Sequence, residues 1–197
     1  MNGKSKGGVG PHPKYNYSIW SQEKTGQDYF DELFRVSKNQ IIFGGNYFAK
    51  EIGRDSSCWI VWDKCNGDTK WADCELAWTS FNTAVRKFAF MWNGMLQGKN
   101  IEEGWIMQGK KHLNEKRIHP TQKPVALYAW ILKNYAQPGW KLLDTHTGSA
   151  SSLIAFADAG YDYVAFEKDI GYYSEYLHRL QEHRSQITLF DCGVERV

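Results

Sequence analysis

No two prolines stand side by side in this chain, whose only prolines are Pro11, Pro13, Pro120, Pro124 and Pro138. Cysteine is equally scarce: Cys58, Cys65, Cys74 and Cys192 form no CxxC pair, and their spacings match no common zinc-ligand pattern. Four cysteines are also too few for a stapled secreted domain, so they read as reduced, structural thiols. No apolar run approaches the roughly 18 residues of a membrane span. The N-terminus carries Lys4, Lys6 and Lys14 among glycines, without the apolar stretch of a signal peptide, so a cytoplasmic location is the expectation. Charge of one sign is lacking too. The 24 basic residues are nearly matched by 22 acidic ones, and a net charge of +2 does not by itself announce a nucleic-acid binder. What remains is a chain of 197 residues, 42% hydrophobic and 15% aromatic, long enough for one core with an insertion.

The stretch that organises the chain is Leu142-Leu143-Asp144-Thr145-His146-Thr147-Gly148-Ser149-Ala150-Ser151-Ser152. An apolar run ends in an acid, turns through a glycine and enters a small-residue helix with Leu153, Ile154 and Ala157 at helical spacing. Gly160 suits a left-handed helix cap, and Tyr163-Val164-Ala165-Phe166 then predicts a second strand that ends in Glu167. Such a strand, turn and helix places its loop at the carboxyl edge of a parallel sheet, where helix amides and an acid can hold a polar cofactor. Glu167 lies 23 residues after Asp144, the interval at which an acid usually accepts a ribose hydroxyl pair. The cofactor should therefore contain a ribose. Only Gly148 occupies the turn, which argues against the three-glycine GxGxxG fingerprint of a nicotinamide-dependent oxidoreductase.

Residues 1–17 read as a flexible basic loop, either a frayed terminus or a segment that tracks phosphates. Tyr29, Phe30, Leu33, Phe34 and Val36 predict an amphipathic helix over Gln27 to Ser37. Ile41-Ile42-Phe43 predicts a buried strand ending at Gly44-Gly45 and belonging to the same sheet. Further strands are expected at Cys58 to Trp62, Glu75 to Ser80 and Val85 to Trp92, with a turn at Asn66-Gly67. Trp59, Trp62, Trp71, Trp78, Trp92 and Trp105 fall in this middle part beside Lys64, Lys70, Arg86 and Lys87. Core packing is the main reading of these rings, and a base-stacking surface is the alternative. Gly94 to Lys116 reads as a mobile loop in an insertion. Thr121 is the expected N-cap of a helix that has Pro124 in its first turn and turns Leu127, Trp130, Ile131 and Tyr135 to the core. A final helix over Ile170 to Arg184 should bury Tyr173, Tyr176, Leu177 and Leu180.

The string His119-Pro120-Thr121-Gln122-Lys123-Pro124, followed by a helix, by Leu143-Asp144-Thr145-His146-Thr147-Gly148-Ser149 and by Phe166-Glu167, resembles the three cofactor motifs of the permuted DNA amino-methyltransferases. That family methylates N6 of adenine or N4 of cytosine, and the likeness is strongest to phage and prophage adenine methylases. It extends over nearly the whole chain. The resemblance implies an α/β, Rossmann-like methyltransferase sheet with helices on both faces, forming a single domain over residues 1–197. Within it, about 64–117 would be the inserted target-recognition region and 118–185 the cofactor-binding half. It implies S-adenosyl-L-methionine as cofactor, with Asp144, His146, Gly148 and Ser149 around it and Glu167 on its ribose. His119, Thr121, Gln122 and Lys123 would flank it. The implied partner is double-stranded DNA with a flipped base. Adenine is the first choice of target and cytosine the second, in a bacterial or phage-encoded protein.

One part of the pattern is missing. Amino-methyltransferases carry an Asp/Asn/Ser-Pro-Pro-Tyr/Phe motif whose oxygens accept the protons of the poorly nucleophilic amine while its ring stacks on the flipped base. This chain has no Pro-Pro pair. By family architecture, the strand leading into that motif lies between the strands ending at Asp144 and at Gly44, so its absence leaves two inner edges unpaired. The expectation is a truncated methyltransferase, with a non-catalytic remnant that binds cofactor or DNA as the alternative. A cytosine C5-methyltransferase would need a nucleophilic cysteine, usually after proline, and no Pro-Cys pair exists. Last, Gln186-Ile187-Thr188-Leu189-Phe190 is similar to the Gln-Leu-x-Leu-Phe motif that docks on the bacterial sliding clamp, through Gln186, Leu189 and Phe190. Its alternation favours a further strand of the sheet instead.

Overall fold

The computed structural model describes residues 25–67, 71–92, 97–98, 105–106 and 114–191. The basic N-terminal loop and Cys192 lie outside the described residues. The apolar stripe of the first helix forms α1 (Gln27–Val36), whose Phe30 is buried. It is followed by β1 (Ile41–Phe43), a 3-10 turn at Gly45–Tyr47 and the short α2 (Ala49–Ile52). β2 (Trp59–Asp63), β3 (Cys74–Thr79) and β4 (Arg86–Ala89) complete a four-stranded sheet in the order β1-β3-β2-β4. β3 runs antiparallel to both β1 and β2, whereas β4 is parallel to β2.

Register decides which helix each face receives. Ile42 and Trp59 both pair with Trp78, so the three share one face, and Phe30, Phe34 and Leu33 of α1 pack there. Trp62 pairs with Phe88 on the other face, where both pack against Leu127 of α3 (Val125–Tyr135). Helices therefore cover both faces of this sheet.

β8 (Lys141–Asp144), α4 (Ser151–Asp158) and β9 (Asp162–Ala165) form the expected strand, helix and parallel strand, with Leu142 opposite Tyr163 and Asp144 opposite Ala165. Gly160 has φ +73° and its amide donates to Ala157 O, closing α4 as expected. Tyr163 and Ala165 pack toward Leu153 and Ile154 of α4. Leu143, Val164 and Phe166 stand on the opposite face of the pair, 37%, 56% and 59% exposed.

The reading that puts Ile41-Ile42-Phe43 in the same sheet as the strand ending at Asp144 is corrected, and the gap expected between those two strands is present among the described residues. β1 pairs with β3, β8 pairs with β9, and among the described residues no strand joins β1 to β8. Side chains link the two sheets instead. Tyr29 of α1 bonds the Thr145 hydroxyl at 2.7 Å, and α3 lies on the four-stranded sheet while also packing along α4.

Four other expectations are corrected. The insertion contains β5 (Met91–Trp92), β6 (Gln97–Gly98) and β7 (Trp105–Ile106), a small antiparallel sheet rather than only a loop. Thr121 does not cap α3. Pro124 precedes the helix, and Glu115 accepts the Val125 amide at 3.0 Å. The last helix, α5, runs Ile170–Asp191, so Gln186 to Phe190 continue a helix and are neither a strand nor an extended docking peptide. Between Ile170 and Gln186 its buried residues are Tyr172, Tyr176 and Leu180, whereas Tyr173 and Leu177 are each 39% exposed. No helix among the described residues is long and apolar enough to cross a membrane. The tryptophan question divides. Trp62, Trp78 and Trp92 are core, each donating its indole N–H to a backbone carbonyl, and Trp71 is exposed.

Candidate functional site

The carboxyl ends of β8 and β9 lead into two acids, Asp144 and Glu167, each of which accepts an amide of the loop between Asp144 and Ser149. Asp144 ends β8, and its Oδ1 accepts the His146 amide at 2.9 Å while its Oδ2 accepts the Ser152 hydroxyl from the first turn of α4. The loop then turns at Gly148, where φ is +54°, a conformation side chains rarely adopt. The Gly148 amide donates to Glu167 Oε2 at 2.8 Å, and the Asp169 amide donates to Glu167 Oε1 at 2.9 Å. Each oxygen of Glu167 thus accepts one backbone amide and keeps a second lone pair for a further donor. The Thr147 amide donates to Phe166 O, which holds the loop against the end of β9. α4 begins after Ala150 with no side chain capping its first amides.

The segment before α3 closes one side of this loop. A Cβ added to Gly148 would stand 3.5 Å from the His119 ring, so the two are in van der Waals range. His119 is buried, and its ring meets Tyr172 edge-on at 4.3 Å. Its Nδ1 accepts the Thr121 amide at 3.3 Å and lies 3.1 Å from the Thr121 hydroxyl. Burial holds the imidazole below its ordinary pKa, against the pull of Glu167. His119 is therefore neutral near pH 7. Its folded pKa is depressed, so the unfolded chain binds the extra proton first, and stability falls as pH drops below about 6.5. We expect His119→Asn, which keeps an acceptor for Thr121, to lose part of this acid sensitivity in urea unfolding between pH 7 and 5. An unchanged pH slope would contradict the assignment.

The other residues singled out in the sequence divide by direction. The Gln122 side chain is buried and braces the insertion's return, accepting the Ile118 amide and donating to Lys116 O. Lys123 points toward the four-stranded sheet, 3.4 Å from Glu75 and 4.8 Å above the Phe43 ring. His146 is exposed on the loop, with its Nδ1 3.0 Å from the Thr145 hydroxyl and its ring edge-on to Tyr29. Ser149 is buried, with its hydroxyl 3.1 Å from that of Ser151. So Asp144, Gly148, Ser149, Glu167 and His119 converge, whereas Gln122 and Lys123 are committed to other elements.

Sequence reasoning passed over several residues here. Tyr29 reaches the loop from 116 residues away, a contact no local pattern encodes. The Thr147 hydroxyl is buried and has no hydrogen-bond partner among the described residues, an orphaned polar group inside the loop. Asp169, whose Oδ1 accepts the amides of Gly171 and Tyr172 at the start of α5, was legible as an acid preceding a helix.

A family model described as DNA methylase matches residues 63–178. The chain is 31% identical over 64 residues to a putative methylase, YubD, of Escherichia coli strain K12, a match over 32% of this chain and 26% of the relative. The chain therefore matches about a quarter of the length of that curated relative. Among solved structures it is similar to a complex of M1.HpyAVI with SAM, with a TM-score of 0.53 and 19% identity, covering 79% of this chain and 83% of that one. M1.HpyAVI itself gives a TM-score of 0.51 at the same identity, covering 79% and 82%. At this identity the likeness concerns the fold, a mixed α/β methyltransferase architecture.

Proposed function

This chain belongs to the DNA methylase family, and from that premise we propose that it is the cofactor-binding and target-recognising part of an S-adenosylmethionine-dependent enzyme that methylates an exocyclic amine, adenine N6 first, in DNA. The observation that carries the reading is the placement of Asp144 and Glu167 at the ends of two adjoining parallel strands, with the Gly148 amide held on Glu167. These residues fit the cofactor. Two carboxylates keep unused lone pairs, the first amides of α4 lack a side-chain cap, and the buried Thr147 hydroxyl has no partner among the described residues. Glu167 would accept the ribose hydroxyls, and Asp144 with the Gly148 to Ser149 turn would hold the amino-acid end. Bound there, S-adenosylmethionine supplies an electrophilic methyl group on a sulfonium. The neutral His119 ring would close the loop from the side of α3 and exclude water without adding a charge.

Activation of the amine is the part this polypeptide lacks. No residue pattern in it supplies the Pro-Pro motif, and Gly45-Asn46-Tyr47-Phe48, which has an amide and an aromatic ring, follows β1 instead. Among the described residues one edge of β1 and one of β8 have no partner strand, and these edges, together with exposed Leu143, Val164 and Phe166, support truncation over the remnant reading, because a remnant has no reason to keep an apolar sheet face uncovered. We infer that the complete enzyme places a strand ending in an Asp-Pro-Pro-Tyr-type motif between β1 and β8. Calorimetric titration of the purified chain with S-adenosylhomocysteine tests the cofactor assignment: saturable binding is expected, and none by a folded sample would overturn it.

A further inference from the structure

Arg179 and Glu115 lie outside every motif discussed above, yet they meet at the cofactor loop. Arg179, on α5, has a side chain only 14% exposed. Its Nη1 donates to Ser149 O at 2.6 Å and to the Ser151 hydroxyl at 2.9 Å. Its Nη2 donates to Glu115 Oε2 at 2.9 Å. Glu115 is the end of a second set of bonds. Its Oε1 accepts the Val125 amide at the start of α3, and its backbone exchanges two bonds with the buried Gln97 side chain of β6, at 2.8 and 3.0 Å. One carboxylate thus ties the insertion, α3 and α5 together, and one guanidinium carries that tie to the loop.

The loop needs such a tether. Ala150, next to Ser149, holds φ +60°, a left-handed conformation unfavourable for a residue with a side chain. The carbonyl that Arg179 grips is the one joined to this residue, and α4 starts immediately after it. A guanidinium this buried stays in place only with an anionic partner, and Glu115 is its one carboxylate partner among the described residues.

We propose that Arg179 and Glu115 are a positioning pair that fixes the Gly148 to Ser152 turn for cofactor binding and makes its shape depend on the inserted region through Gln97. The pair would act on the cofactor indirectly, through the contacts of Arg179 with Ser149 and Ser151. This inference rests on the methyltransferase reading of the site.

The test is S-adenosylhomocysteine titration of the full chain carrying Glu115→Gln, Arg179→Lys or both, beside hydrogen exchange of the Ser149 to Ser152 amides without ligand. Glu115→Gln keeps an acceptor for Val125 and removes both the charge and the acceptor that faces Arg179. We expect each single variant to weaken binding by about tenfold or more, the double variant to be little worse than either single one, and the loop amides to exchange faster. A purely structural pair would lower the urea midpoint while leaving ligand affinity and loop exchange of the folded protein unchanged, and that result would overturn the proposal. If the unaltered chain fails to bind, the methyltransferase reading falls. If it binds and the variants bind equally well, only the positioning pair falls. Should either single variant fail to fold, the other decides.

Discussion

Glu167→Ala should abolish most S-adenosylhomocysteine binding and also loosen the loop that binds it. Glu167 accepts the Gly148 and Asp169 amides at 2.8 and 2.9 Å, so its removal unpairs two backbone donors at once. Hydrogen bonds to a charged group contribute about 1.5 to 3 kcal/mol each, which for each lost ribose bond is about 10- to 150-fold in affinity. Stability should fall as well, by on the order of 2 kcal/mol, because the orphaned amides lie in a half-buried loop. Glu167→Gln separates the two roles. It can still accept an amide but offers a ribose diol one acceptor instead of two, so it should refold better than the alanine variant while still binding weakly. Calorimetry beside urea unfolding reads both quantities. Affinity unchanged in a folded Glu167→Ala protein would contradict the assignment.

Trp62→Ala should be the most damaging change away from the site. Trp62 is 1% exposed, packs with Phe88, Trp92 and Leu127 where α3 meets the four-stranded sheet, and donates its indole N–H to Phe90 O at 3.0 Å. Truncating a buried Trp costs about 3 to 5 kcal/mol, against a total stability of about 5 to 15 kcal/mol for an ordinary domain. Trp62→Phe should recover more than half of the loss, since it keeps most of the ring and loses mainly the indole bond. A cost below about 1 kcal/mol in urea unfolding of Trp62→Ala would mean that α3 is not anchored by this cluster.

The unit from Lys141 to Ala165 was legible because each of its signals is local. Leu142 and Leu143 run into an acid, Gly148 supplies the turn, and Gly160 ends the helix, all within a span where chain connectivity leaves few alternatives. The misread parts depend on partners far away in sequence. The cap of α3 comes from Glu115, ten residues before Val125, so the local candidate Thr121 was the natural choice and instead fixes the His119 ring. Apolar spacing alone does not fix the buried face of α5, because Tyr173 and Leu177 are as apolar as Tyr172. The His119 ring and α4 draw Tyr172, Tyr176 and Leu180 inward. In Gln186 to Phe190 five residues of alternation could not be told from a continuing helix. β6 and β7 have two residues each, too few to show a period of either kind. The convergence of Asp144, Gly148 and Glu167 was visible in their spacing, whereas Tyr29 and Arg179 enter the site only through tertiary packing.

On the proposed reading, this polypeptide holds the methyl donor but does not activate the acceptor. One preparation tests both halves: calorimetric titration with S-adenosylhomocysteine, and transfer of labelled methyl groups from S-adenosylmethionine to duplex DNA rich in adenine sites. We expect saturable binding that is lost in Glu167→Ala, with little or no label reaching DNA. Robust transfer by the same sample, abolished by Asn46→Ala, would contradict it by showing that the Gly45 to Phe48 turn activates the amine.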